Sequence, residues 1–186
     1  MLAALRQRPF TVQALIVAVA ASASLLVGAH IFEAFGYLPC PLCLDQRQAH
    51  WVALAVAGAG LGAHFLFRAR LAAAAAVGAA AMVYLFSAGL AFFHTGVEFK
   101  FWPGPATCSG QASAITDASV LETALVEKPK GPSCIDAQWR FLGISMAGYN
   151  LLASAGLFAL TLAAAVSAAR AAHDARRPGP GRAGAT

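Results

Sequence analysis

Apolar residues gather in four long stretches, at about 10–32, 48–67, 71–93 and 141–169, and the charged residues fall in the segments between and beyond them. Crossing a hydrocarbon core takes roughly 20 residues of helix, so each stretch is long enough to span a bilayer. The pattern predicts an all-α integral membrane protein, a four-transmembrane-helix bundle forming one domain over residues 1–170. The fourth stretch is longer than one span requires, which implies tilt. Arg68-Ala69-Arg70 makes a tight basic turn between the second and third spans. Outer loops are expected at about 33–47 and 94–140, and 171–186 reads as a disordered tail. The alanine run at 72–76 lies inside an apolar span, where small residues let helices approach closely.

Composition supports the same class. Of 186 residues, 59% are hydrophobic and 11% charged, against about a quarter charged in a soluble domain. Arg6 and Arg8 before the first apolar run, with Ala21-Ser22-Ala23 inside it, resemble a secretory signal. The run is nevertheless longer than the roughly 7–15 residues of a signal's apolar region, and three more spans follow, so an uncleaved helix is expected.

The net charge of +5 is a statement about topology. With the N-terminus inside, Arg6, Arg8, Arg68, Arg70, Arg170, Arg176, Arg177 and Arg182 face inward with only Asp174 as an acid. The outer segments hold five Lys or Arg and seven acids. That asymmetry is the positive-inside pattern, and it leaves no basic surface for nucleic acid. Trp51, Trp102 and Trp139 then fall near the outer ends of spans, as an interfacial aromatic belt requires.

On this topology Cys40, Cys43, Cys108 and Cys134 all lie on the outer side, the compartment in which disulfides persist. Pro39-Cys40-Pro41-Leu42-Cys43-Leu44-Asp45-Gln46-Arg47 leads into the second span. Pro41 suits the first helical position, because its missing N–H would have no partner there. Cys40 then stands at or near the N-cap and Cys43 in the first turn, where free N–H groups and the helix dipole favour an anion. Arg47, four residues on, lies on the same face. These features favour the thiolate, the reactive form of cysteine. A structural disulfide or half of a metal site would use the same spacing. Zinc would want a second close pair, however, and 25 residues separate Cys108 from Cys134, while Arg47 is a poor neighbour for a cation.

Cys108 follows Trp102-Pro103-Gly104-Pro105, and Cys134 follows Lys130-Gly131-Pro132. Between them Ile115, Ala118, Leu121, Ala124 and Leu125 recur at helical spacing, which predicts a short amphipathic helix on the membrane surface. The cysteines there fit either a structural staple or a mobile exchange pair. His94 ends the third span, and Met146 lies in the first turns of the fourth. Alone they read as an interfacial anchor and a packing residue, and His30, His50 and His64 likewise as interface or packing residues.

Taken together, these residues resemble the disulfide bond formation protein B (DsbB) family of bacterial quinone-linked thiol oxidases. The resemblance covers nearly the whole chain: four spans, C-x-x-C opening the second, Arg47 after Cys43, and the distal pair in the second outer loop. His94-Thr95-Gly96-Val97-Glu98 and Trp139-Arg140-Phe141-Leu142-Gly143-Ile144-Ser145-Met146 are similar to the family at corresponding places. It implies a protein-disulfide oxidoreductase of the bacterial inner membrane, both termini cytoplasmic and the cysteines periplasmic. A reduced periplasmic DsbA-like oxidase would attack a Cys108–Cys134 disulfide at Cys108. Cys134 would then attack a Cys40–Cys43 disulfide, and Cys43 would pass electrons to a quinone, ubiquinone or menaquinone, bound near Arg47, His94 and Met146. No metal site is implied. Leu44-Asp45-Gln46 departs from the family, whose acidic residue is expected next to the arginine. Two rivals are a quinone reductase of the vitamin K epoxide reductase type, in which the C-x-x-C lies in the last span, and a non-enzymatic membrane metal-delivery or assembly protein.

Overall fold

The computed structural model of the chain describes residues 9–109 and 132–176. Four long helices dominate it: α1 (Phe10–Ala34), α2 (Pro41–Phe67), α3 (Arg70–Glu98) and α4 (Met146–Arg176). A 3₁₀ turn, Ala106–Ser109, and a two-stranded ribbon, β1 (Arg140–Phe141) with β2 (Ile144–Ser145), complete the described elements. Each long helix is apolar enough to cross a membrane, at 25 to 31 residues. At 1.5 Å per residue they reach roughly 38–46 Å. A hydrocarbon core takes about 30 Å of that, leaving whole turns to project into the interface.

The helices form a closed ring in chain order, with the richest packing between α3 and α4, then α2 and α3, then α1 and α2, and a thinner α1–α4 seam. Alternating helices bring Arg68 and Arg70 to one end and the cysteines to the other. The core at the arginine end is built from small side chains, with Ala14, Ala18, Ala53, Ala57, Ala73, Ala80 and Ala164 buried around Leu15 and Val77. Phe65, Leu66, Phe86 and Leu162 point outward. Lipid tails are as apolar as leucine, so hydrophobic burial drives such helices together only weakly and close backbone contact takes over. Gly60 of α2 shows how close: a Cβ there would collide with Ala76 Cβ of α3.

Helix boundaries depart from the apolar stretches, each time for a local reason. α2 starts at Pro41, ahead of the apolar run, because Cys40 caps it and Pro41 opens it. α3 runs on through the segment 94–98 that the pattern assigns to a loop, since His94, Val97 and Glu98 are turned inward and buried. The segment 141–145, expected within the fourth span, is instead the ribbon: Leu142 and Gly143 take φ of 50° and 82°, the two positive values of a tight hairpin turn. The Ser145 hydroxyl then accepts the Gly148 N–H at 3.1 Å and caps α4, which begins at Met146. Residues 171–176, expected as part of the tail, continue α4 through alanines and end it at Arg176, whose charge suits a helix C-terminus. The rest of the expected tail and the expected surface helix lie outside the described residues.

Candidate functional site

The first turn of α2 builds one half of the site. Cys40 is the N-cap in extended conformation, Pro41 is the first helical residue, and the Cys43 N–H donates to Cys40 Sγ at 3.3 Å. The two sulfurs lie 2.8 Å apart, with Cys40 buried and Cys43 half-buried. Its hydrogen bond with Cys43, reinforced by burial, pushes the Cys40 thiol well above the ordinary range. The proton of the reduced pair therefore stays on Cys40, and Cys43 faces the free N–H groups of the helix start.

Cys108 and Cys134 form a disulfide, and both are buried. The Gly/Pro flanks left both a structural staple and a mobile exchange pair open; in the structure Trp102 packs against the buried cluster that holds the disulfide. The Trp102 indole donates to Phe93 O at 2.9 Å, stacks on the Phe93 ring, and lies so tightly against Gly96 that a Cβ there would strike it. Both cysteine pairs belong to one buried cluster with Leu42 and Val97. Cys40 Sγ, Cys134 Sγ and a His94 ring nitrogen all lie within 4.8 Å of one another. Three such groups could share a metal ion, but the Cys134 sulfur is already bonded to Cys108. What the arrangement offers directly is thiol-disulfide exchange between the pairs.

Beside the cysteines a cleft of about 130 Å³ is lined from all four helices, by Leu26, Cys43, Arg47, His94 and Met146 among others. The sequence-predicted Arg47, His94 and Met146 thus surround one space. Arg47 does not reach out to headgroups: Nη1 donates to Glu33 Oε2 at 2.6 Å and Nη2 to Ala29 O at 3.0 Å, which clamps α2 to the end of α1. His94 Nε2 lies 3.7 Å from Cys40 Sγ and 3.8 Å from Glu98 Oε1.

Four members of this site escaped the sequence reading. Glu98 lines the cleft, and its Oε2 is buried without a hydrogen-bond partner among the described residues. Its spacing of four from His94 would have signalled a shared face had α3 been extended that far. Gln46, His50 and Asn150 also line the cleft. Of these, Gln46 and His50 are spaced four apart on one helix, and no local signal pairs them with Asn150. His50 is no lipid-interface residue: it is 3% exposed and hydrogen-bonded on both ring nitrogens.

Comparison with known proteins agrees with this geometry. The family model for disulfide bond formation protein DsbB matches residues 11–164. A disulfide bond formation protein B from Polaromonas naphthalenivorans is 31% identical over 160 residues, covering 83% of this chain and 92% of that protein. Proteins of the same description from Aromatoleum aromaticum and a Polaromonas species are 31% and 29% identical over 126 and 140 residues, covering 67% and 74% of this chain and 74% and 79% of theirs. No solved structure matches. With four helices fit to span a membrane and two cysteine pairs meeting at one end, the chain belongs to the disulfide bond formation protein B family.

Proposed function

We propose that this chain is a quinone-dependent thiol oxidase of the bacterial inner membrane that reoxidises a periplasmic DsbA-like dithiol oxidase. The observation that carries the reading is the approach of Cys134 to Cys40, two sulfurs from separate outer segments held within 4.8 Å in one buried cluster.

A partner thiolate attacks Cys108 Sγ, the Cys108–Cys134 bond breaks, and Cys134 leaves as a thiolate. The partner's second thiolate attacks its own sulfur in the mixed disulfide, releasing oxidised partner and Cys108 thiolate. With Cys40 and Cys43 in their disulfide form, Cys134 attacks Cys40 and Cys43 departs as a thiolate beside the cleft. The Cys108 thiolate then attacks Cys134 Sγ, the Cys134–Cys40 bond breaks and Cys40 leaves, so Cys108 and Cys134 are again a disulfide and Cys40 and Cys43 the reduced pair, the state described above. A DsbA-type partner is strongly oxidising, at about −120 mV, so its reoxidation needs a strong terminal acceptor.

A membrane quinone, ubiquinone or menaquinone, would supply that acceptor, taking two electrons and two protons as Cys40 and Cys43 return to their disulfide. The cleft, at about 130 Å³, approaches the roughly 150 Å³ that admits one benzene, and its mouth is open. Leu26 and Met146 give apolar walls, and Arg47 and His94 give N–H donors for ring oxygens. Arg47 holds its charge at any accessible pH.

The test is anaerobic mixing of purified protein with a reduced thioredoxin-like oxidase and ubiquinone or menaquinone, followed by quinone absorbance. One quinone should be reduced per partner disulfide formed, and partner oxidation without quinone reduction would refute the acceptor. The orientation, with both termini cytoplasmic, has its own check. After reduction of intact cells, a membrane-impermeant thiol reagent should label Cys108 and Cys134 before the inner membrane is permeabilised, and labelling that appears only after permeabilisation would reverse it.

A further inference from the structure

A line of buried polar groups runs from the middle of the bundle to the cysteines. Tyr84 Oη lies 2.8 Å from Ser22 Oγ, which lies 3.2 Å from His50 Nδ1. His50 Nε2 donates to Asn150 Oδ1 at 2.7 Å, and Asn150 Nδ2 donates to Gln46 Oε1 at 2.7 Å. Gln46 Nε2 lies 2.9 Å from His94 Nδ1. All four helices contribute, and Ser22, Gln46, His50 and His94 are buried.

The donor inventory gives this line one direction. An amide nitrogen only donates, so His94 Nδ1 must accept from Gln46 and the His94 proton must sit on Nε2. Gln46 can present its nitrogen there because its oxygen is held by Asn150, and Asn150 can donate because its own oxygen is held by His50. With His50 protonated on Nε2, its Nδ1 accepts from Ser22. From Ser22 onward each bond points its proton toward the cysteines, and bonds so aligned polarise one another in a low dielectric. At the end of the line stand Cys40 Sγ and Glu98 Oε1, both facing the Nε2–H of His94.

We propose that Gln46, Asn150 and His50 are positioning residues: a neutral buried relay that locks His94 in the tautomer protonated on Nε2, aimed at the sulfur and the acceptor cleft. The assignment builds on the reading of His94 as part of the quinone site. Gln46 is the hinge of the relay, because it both accepts from Asn150 and donates to His94. An acid at that position would put a charge into the line, and this chain has the amide instead. The Tyr84 hydroxyl has one proton to share between Ser22 Oγ and Ala18 O, the latter 3.1 Å away, so among the described residues the line ends inside the bundle and acts as an orienting frame.

The test is nitrogen NMR of the full-length protein in micelles, with histidine and glutamine side chains labelled. His94 should show a protonated Nε2 and an unprotonated Nδ1, with a coupling across the hydrogen bond between Gln46 Nε2 and His94 Nδ1. Asn150→Leu should abolish that coupling. It should lower quinone-linked turnover several-fold without slowing attack of a small dithiol on the Cys108–Cys134 disulfide. His50→Phe, which touches neither His94 nor the cysteines, should weaken the coupling in the same direction. A protonated Nδ1 in the unsubstituted protein overturns the proposal, as does a coupling that survives both substitutions or an equal loss in both chemical steps. The spectrum is recorded without quinone, so it decides the relay whether or not the protein turns over quinone.

Discussion

The two ends of the bundle hold the same four helices together by opposite means. At the arginine end most buried positions are alanine, with Gly60, Val77 and Leu15 among them, and cohesion comes from backbones lying close. At the cysteine end the buried positions include Gln46, His50, His94, Glu98 and Ser145, and cohesion comes from specific hydrogen bonds. Small-residue packing tolerates no added volume, but it asks nothing of chemistry. Polar packing leaves room for a cleft and needs every partner in place, because an unpaired polar group away from water costs several kcal/mol. The end with the weaker apolar glue is therefore the end with the reactive groups, and substitutions at the two ends should fail differently.

The sharpest break belongs at the cysteine end. Cys134→Ser removes the only thiol placed to carry electrons from Cys108 to Cys40, so partner reoxidation should be lost entirely. With no Cys108–Cys134 disulfide left for the reduced partner to attack, the free Cys108 thiolate should instead attack the disulfide of the oxidised partner, whose second sulfur leaves as a thiolate, and the mixed disulfide should be seen on non-reducing gels. An adduct that forms equally when Cys108 is also replaced would show that another sulfur is the nucleophile.

Arg47→Ala comes next. A hydrogen bond to a charged group contributes about 1.5–3 kcal/mol, so loss of the guanidinium from a quinone oxygen should slow quinone reduction by about tenfold or more. Exchange with the soluble partner should be spared, and lysine should restore part of the rate through its charge without the planar fork. The structure sets up a clear rival, since Arg47 also ties α2 to Glu33 and Ala29 of α1. If the tie is its whole role, alanine lowers thermal stability while steady-state rates across quinone concentrations stay unchanged.

How far the sequence could foresee this division depends on whether a feature is local. The Cys40 cap, Pro41 and the first-turn Cys43 follow from neighbours in the chain, and the structure has them as expected. The four spans follow from hydropathy, which reads composition and needs no packing. Asn150 and His50 were invisible because a polar residue in an apolar span looks like an anchor until the facing helix is known. Leu142-Gly143 hid a hairpin inside an apolar run, since leucine is an unusual residue for the first positive φ of such a turn. Trp102, which packs against the cluster that buries Cys108, meets Gly96, a contact between a loop and the last turn of α3 that spacing does not encode.

That contact supplies a milder test. Gly96→Ala should push the Trp102 ring off α3 and loosen the cover over Cys108. Reduction of the Cys108–Cys134 disulfide by a small thiol should then speed up several-fold, with the cleft and its quinone chemistry little changed. An unaltered reduction rate would mean that Trp102 is not what shields the disulfide.

The smallest effect is expected at the arginine end, and one helix contains both the test and its control. A methyl group at Gly60 would collide with Ala76 Cβ and lie 3.2 Å from Leu15 Cδ1, whereas one at Gly62 would meet nothing within 4 Å. Overpacking of a tight interface costs about 1–3 kcal/mol, so Gly60→Ala should lower thermal stability in micelles as α2 is forced away from α3. Gly62→Ala should be neutral or slightly stabilising, because alanine is the better helix former. Neither should alter the quinone rate per folded molecule, since the substitutions lie far from the cysteines along the bundle. Equal stability of the two variants would show that close α2–α3 approach is not what holds this end together. A fall in quinone turnover with Gly60→Ala alone would show instead that the two ends are mechanically coupled, so that packing at one positions the chemistry of the other.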